Sequence, residues 1–237
     1  MERGMQRSWI PGLAAASLLM MAFATPVVAA EEETWDGLAK IEARQVQVAY
    51  LRRGADFRVY TKLIIDPPIV EFRKNWQRDI NRNALTLGAR LNSSDVENIR
   101  AAFADGFDEI LAAGFAKAGW EVGVADGPDV LRLTPLLVNV YVNAPDKPTA
   151  ARTNSYTVRA GEATVALEIR DAQTGQLLGR VVDRRQASSH GDLLMLTNRV
   201  TNRADFERLL KRWTQIFVDG LAELKQASPL GLRAEDQ

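Results

Sequence analysis

The stretch from Val130 to Ala187 limits the possible folds more than any other part of this chain. Val130 to Val142 alternates, with Val130, Leu131, Leu133, Leu136, Val138, Val140 and Val142 as its apolar members. Side chains on a strand point to opposite faces in turn, so such a run buries one face and wets the other. Glu162 to Asp171 and Gln176 to Ala187 read as two more strands around Ala172-Gln173-Thr174-Gly175. Gly175 supplies the positive φ that a tight hairpin turn requires. An antiparallel pair with one apolar face needs a second layer to cover it.

Two segments have the period to supply that layer. Val96, Ile99, Phe103, Phe107, Ile110, Leu111, Gly114 and Ala118 form one stripe at helical spacing, and Gly119 stops it. Ser94-Asp95-Val96-Glu97 in front has the form of a capping box. Phe206, Leu209, Leu210, Trp213, Ile216, Phe217, Gly220, Leu221 and Leu224 make a second stripe, and Pro229 lies past its end. Shorter extended pieces come earlier. Ile41 to Leu51 reads as one strand with a slip, Arg52 to Asp56 as a turn, and Thr61 to Asp66 as a buried strand ended by Pro67-Pro68. Ile69 to Phe72 resumes extended structure, Glu121 to Val124 is a short strand, and residues 144–160 form a loop. The expected class is α+β: a single antiparallel or mixed β-sheet with two long amphipathic helices packed on one face.

The N-terminus carries a different message. Arg3 and Arg7 precede an apolar run from Ile10 to Phe23, and Val28-Ala29-Ala30 places small residues before Glu31. That order is expected of a signal peptide over residues 1–30, cleaved near Ala30 to release a soluble periplasmic form. An uncleaved membrane anchor is the rival, because residues 10–30 hold no charge. Pro11, Gly12 and Pro26 make that stretch a poor continuous helix. Residues 31–237 are then one α+β domain.

The sequence has no cysteine, so an exported form uses no disulfide, no thiol chemistry and no Cys-ligated metal. Basic and acidic side chains number 30 each. Removing residues 1–30 takes two arginines and one glutamate, leaving 28 basic and 29 acidic groups. That balance points away from nucleic acid, which selects for a basic excess. No glycine-rich phosphate loop follows a strand, so no nucleotide is expected either.

Six segments in order carry a family likeness: GADFRVYTKLIIDPP, FRKNWQRDINR, AGWEV, GPDVLRLTPLLVNVYVNAPD, AGEATVALEIRDAQTGQLLGRVVDRR and TNRVTNRADFERLLKRW. They resemble the bacterial domain of unknown function 3313 across about residues 36–226 of this chain. The resemblance implies a fold and a compartment, that of secreted proteins or lipoproteins of the Gram-negative envelope. It brings no reaction and no catalytic residue. The chain departs from lipoprotein-like members by lacking a lipobox cysteine.

Few residues offer chemistry. Ser188, Ser189, the sole histidine His190 and Asp183 lie close in sequence, but a catalytic triad is set by geometry, and no GxSxG elbow is present. They read as a polar loop after a strand. Asp105, Asp108, Glu109, Asp126 and Asp129 lack an EF-hand spacing, so no metal and no cofactor is expected. Arg184 is expected to pair with Asp183 or Asp171.

Residues 73–92 show no clean period and hold Arg73, Lys74, Arg78, Arg82 and Arg90 against only Asp79. They read as a long connection, of the kind that is often functional. Arg73, Lys74, Trp76 and Arg78 are the candidate binding residues, with a ring to stack and cations to hold phosphate or carboxylate. The competing reading folds Trp76 back onto the sheet and leaves the charges solvated. The expected function is a non-enzymatic periplasmic binding or scaffold module. Its partner would be an envelope protein, a glycan or an anionic lipid headgroup. The alternative is an envelope hydrolase with carboxylates as acid and base, acting on a glycan or lipid.

Overall fold

The computed structural model describes residues 34–84, 86–142, 155–157, 161–186, 195–197 and 199–230, with side chains described for 36–84, 86–142, 162–186 and 204–230. The expected signal peptide, the 188–190 segment and most of the 144–160 loop lie outside these residues. Strands β1 (Thr34–Trp35), β2 (Leu38–Ile41) and β3 (Val48–Leu51) come first. They are followed by β4 (Lys62–Ile65), β5 (Ile69–Phe72), helix α1 (Trp76–Arg82) and helix α2 (Ser93–Lys117). Next are β6 (Glu121–Val122), β7 (Val130–Val142), β8 (Ser155–Thr157) and β9 (Gly161–Asp171). The order closes with β10 (Leu177–Gln186), β11 (Met195–Thr197) and α3 (Arg199–Ala227).

Nine of the described strands form one sheet in the order β1-β2-β3-β10-β9-β7-β4-β6, and β5 also pairs with β7. β8 and β11 pair separately. The β9–β10 hairpin turns where the sequence puts it, with Gly175 at φ 71°. β4 and β5 run parallel to β7, one after the other, so the sheet is mixed. Asp66 and Pro67-Pro68 separate them, opposite Thr134 and Pro135 of β7. Proline has no N–H for a ladder, so the gap falls where β7 can donate least.

β7 has a bulge that its alternation only half reveals. Leu131, Leu133, Pro135 and Leu137 are buried, and then Val140 and Val142 are. The parity changes at Asn139, which has φ 53°, and the registers with β5 and β9 both slip there. An inserted residue in a bulge rotates all later side chains to the other face. Leu136 and Val138, which the pattern places inward, are therefore only partly buried.

One face of the sheet joins α2 and α3 in a common core that includes Leu133, Leu137, Val165, Leu167, Phe107, Phe115, Trp213 and Phe217. The other face carries ion pairs beside a smaller apolar cluster of Leu38, Tyr50 and Leu177. Glu168 bonds Arg180 and Arg170, and Arg180 also reaches Asp36 at 2.9 Å. Arg184 pairs with Glu162 at 3.0 Å rather than with Asp183 or Asp171, because Thr164 stands opposite it and Glu162 is its neighbour on the same face. Burial works against the Glu168 charge, but these arginines outweigh it and hold the carboxyl below the usual range.

Three local readings change. The expected 41–51 strand is broken: Ile41 ends β2, residues 42–47 turn the chain back, and Val48 to Leu51 form β3, which pairs antiparallel with both β2 and β10. The capping box of α2 is built from Asn92 and Asp95, not Ser94 and Glu97. Asn92 Oδ1 accepts from Asp95 N at 2.9 Å and Asp95 Oδ2 accepts from Asn92 N at 2.8 Å. Asparagine caps as well as serine, and aspartate at the third position closes the box. The third change concerns residues 73–92, which hold α1 and a 3-10 turn at Leu87–Ala89 rather than only a connection. At its other end α2 stops as read. Gly119 has φ 91°, Trp120 N bonds Phe115 O at 3.1 Å, and the two rings meet edge to face.

Candidate functional site

The four candidate residues go to different places. Asn75 takes a left-handed φ of 65° and turns the chain out of β5 into α1. Arg73, just before it, belongs to the open face of the sheet. Its guanidinium lies 3.8 Å from the Tyr141 ring centroid and 3.3 Å from Glu162. Trp76, just after it, is 1% exposed. Its ring stacks on Phe72 at 4.1 Å, and Nε1–H donates to Val142 O at 2.9 Å. Phe72 meets Phe103 edge to face, and Phe103 meets Phe206 likewise. Trp76 thus begins an aromatic chain joining α1, β5, α2 and α3, and its ring offers no face to an outside ligand. The stacking role expected of Trp76 is corrected on that ground. Lys74 is exposed, and so is Arg78, which lies one helical turn further along.

Arg78 instead joins a group that spacing alone could not assemble. Gln77, Arg78, Asn81 and Arg82 on α1 and Arg90 beyond it line an open cleft of about 470 Å³. Arg78 and Arg82 are four residues apart and share a helix face. Arg90 is brought to them by Asn81, which clamps the backbone of Leu91. Leu91 N donates to Asn81 Oδ1 at 2.7 Å, and Asn81 Nδ2 donates to Leu91 O at 2.9 Å. Gln77 Nε2 donates to the same carbonyl at 3.0 Å. Leu91 itself is 4% exposed and sits in the core. The cleft therefore has two walls, each pinned from beneath by a buried side chain: Trp76 under α1 and Leu91 under the segment that follows the 3-10 turn.

The lining offers three guanidiniums and two carboxamides. Arg78 has an acidic neighbour in Asp79, at 3.7 Å with its guanidinium largely in solvent. Such a set can donate many hydrogen bonds to an anion, and arginine matches phosphate and carboxylate oxygens in pairs. Arg82 and Arg90 were visible in the sequence as part of a basic run. What joined them to Arg78 and separated them from Arg73 was a seven-residue helix too short to leave a periodic signal.

The remaining acidic candidates serve the fold or the solvent. Asp183 is buried, accepts from Trp213 Nε1 at 2.8 Å and from Gln47 N at 3.1 Å, and pairs with Arg185. Burial raises Asp108, with Asp105 and Glu109 adding to it. Asp129 pairs with Lys62. Among the described residues no three His, Asp or Glu side chains are grouped to hold a metal, and no helix is long and apolar enough to cross a membrane.

The fold and the cleft together define an α+β sheet-and-helix protein with an arginine-lined edge. The family model described as protein of unknown function, DUF3313, matches residues 30–217, and the chain belongs to that family. No curated protein matches the sequence. Solved structures with some likeness include a PelC dodecamer from Paraburkholderia phytofirmans, at 11% identity over 73% of this chain and 95% of that one, TM-score 0.36. A neuraminyllactose-binding hemagglutinin homologue from Helicobacter pylori matches at 8% identity over 74% and 92%, TM-score 0.36. Lipoprotein GNA1162 from Neisseria meningitidis matches at 11% over 69% and 99%, TM-score 0.29. Likeness at this level says nothing of a shared ligand or assembly.

Proposed function

We propose that this chain is a non-enzymatic binding module of the bacterial envelope, exported and soluble once residues 1–30 are removed, which holds an anionic group at the arginine cleft. The convergence of Arg78, Arg82 and Arg90 on one open cleft carries the reading. Residues 73–92 contribute five basic groups against one acid on a chain whose basic and acidic side chains number 30 each. A concentrated patch on a near-neutral body draws anions to one place. The side chains that line it donate hydrogen bonds, and none is a carboxylate, imidazole or hydroxyl suited to moving a proton. That favours binding over hydrolysis at this cleft.

The test is calorimetric binding of soluble inorganic polyphosphate to the mature chain and to Arg78→Gln/Arg82→Gln/Arg90→Gln. Hydrogen bonds to charged groups are worth roughly 1.5–3 kcal/mol each, less where solvent enters freely. The triple variant is expected to bind at least about tenfold more weakly, and native binding to fall as salt rises. Equal binding by the two folded proteins overturns the reading.

A further inference from the structure

We infer that the arginine cleft docks the protein on an anionic lipid bilayer, with headgroup phosphates as the anions and Leu87 entering the headgroup layer beside them. The inference rests on the anion-binding reading and names its partner. Its independent observation is Leu87, which is 78% exposed, above Val59, Ile69 and Ile41, the other exposed large apolar side chains among the described residues. Leu87 opens the 3-10 turn Leu87–Ala89, and Arg90 N bonds back to Leu87 O at 3.1 Å. Side chains three apart on such a turn eclipse, so Leu87 and Arg90 leave it on the same side. Arg90 is one of the three cleft arginines. A leucine in full solvent next to clustered arginines has no role in the core. At a membrane surface the two features reinforce each other, since apolar insertion and attraction to anionic lipid act together.

The cleft's shape agrees with this partner. It is wide and open, so it suits a layer of phosphates better than one enclosed small molecule. The wall that would face the bilayer is held rigid by Asn81 on the Leu91 backbone, so little order need be gained on docking. A soluble phosphorylated glycan shares the anionic chemistry but gives Leu87 nothing to enter.

The experiment is flotation of the mature chain with vesicles of phosphatidylglycerol mixed with phosphatidylcholine, beside pure phosphatidylcholine and beside soluble polyphosphate. Native protein is expected to float only with the anionic vesicles, and less as salt rises. Each arginine changed to Gln is expected to lower partitioning about fivefold, the factor that one basic residue near such a surface supplies. Leu87→Ser is expected to lower it about tenfold, the low end of what a buried leucine contributes, and to leave polyphosphate binding unchanged. Arg78→Lys/Arg82→Lys/Arg90→Lys is expected to keep vesicle binding, because a surface potential acts on charge rather than on guanidinium geometry. All these positions except Leu87, which is apolar, are charged surface side chains, and unchanged melting of each variant checks the fold. Polyphosphate binding without flotation overturns the bilayer inference and leaves the anion cleft standing. Flotation that Leu87→Ser does not weaken, or that the Lys variant loses as fully as the Gln variant, overturns it as well. Failure of both probes overturns both readings.

Discussion

Gly114 and Thr214 set how closely α2 and α3 approach, and a two-residue cycle measures it. A Cβ built on Gly114 would lie 2.3 Å from Thr214 Cγ2. Carbon atoms pack best at about 3.5–4.0 Å, so the overlap exceeds about 1 Å. Thr214 is 4% exposed and has little freedom to yield. Its χ1 is stiff through β-branching, and its Oγ1–H donates to Leu210 O at 3.0 Å. Gly114→Ala therefore forces the helices apart or breaks that hydrogen bond, at roughly 1–3 kcal/mol for overpacking. Alanine returns about 1 kcal/mol of helix propensity, so the net loss is on the order of 0–2 kcal/mol and decides little alone. Thr214→Ser removes Cγ2 and keeps the hydroxyl, at about 1 kcal/mol for the lost methyl. In the double variant the new Ala methyl enters the space that Cγ2 leaves. Urea unfolding of all four proteins should show the double variant about 1–3 kcal/mol more stable than the two single losses added together. Additivity within about 0.5 kcal/mol, with unchanged m-values, would falsify the close approach.

Trp213→Ala should cost about 3–5 kcal/mol, since the ring is fully buried. Trp213→Phe should cost roughly 1–3 kcal/mol, as buried Asp183 then loses its Nε1 donor; a shift worth under about 0.5 kcal/mol for Trp213→Ala would put the ring outside the core, and one that small for Trp213→Phe would show that Asp183 does not depend on that donor. Burial, and then the hydrogen bond to Asp171 at 2.7 Å, push the Tyr60 hydroxyl well above the usual tyrosine range. The folded state then holds that proton more tightly than the unfolded chain, so this stability is full below about pH 10 and is lost as pH rises further. Alkaline melts of Tyr60→Phe should lack that part of the decline, and an identical decline would show that Tyr60 does not cause it. Asn81→Asp puts a carboxylate in the arginine cleft and removes the donor to Leu91 O, so it should weaken polyphosphate binding more than Asn81→Ala does. The reverse ranking in calorimetry would argue that Asn81 acts only through the Leu91 clamp.

The long periodic elements were legible because their patterns coincide with burial. The β9–β10 hairpin and α3 each show enough turns or alternations for the apolar face to be read directly. Family membership was legible on similar grounds, from segments in order rather than from any one residue. Elements decided by distant partners were not. The β2–β3 hairpin hides in a run that alternates loosely throughout, and only the pairing of β3 with β10 fixes where the strand begins. The Asn139 bulge turns a regular alternation into two halves of opposite parity, and a left-handed asparagine leaves a weak trace.

The arginine cleft was half legible for a reason that bears on how it must be tested. Its charges could be counted in the sequence, but its shape depends on α1, a seven-residue helix with no stability of its own. α1 persists because Trp76 is packed on Phe72 and bonded to Val142 O, and because Asn81 grips Leu91. The residue that looked most like a ligand contact is thus the anchor of the contact surface. Trp76→Ala would dissolve the helix that aligns Arg78 with Arg82, and it would weaken binding whether or not any ligand ever touches the ring. A loss of function in that variant therefore cannot tell a stacking site from a structural pin. Charge changes at exposed Arg78 and Arg82 can, because they leave the pins intact and alter only what the cleft presents.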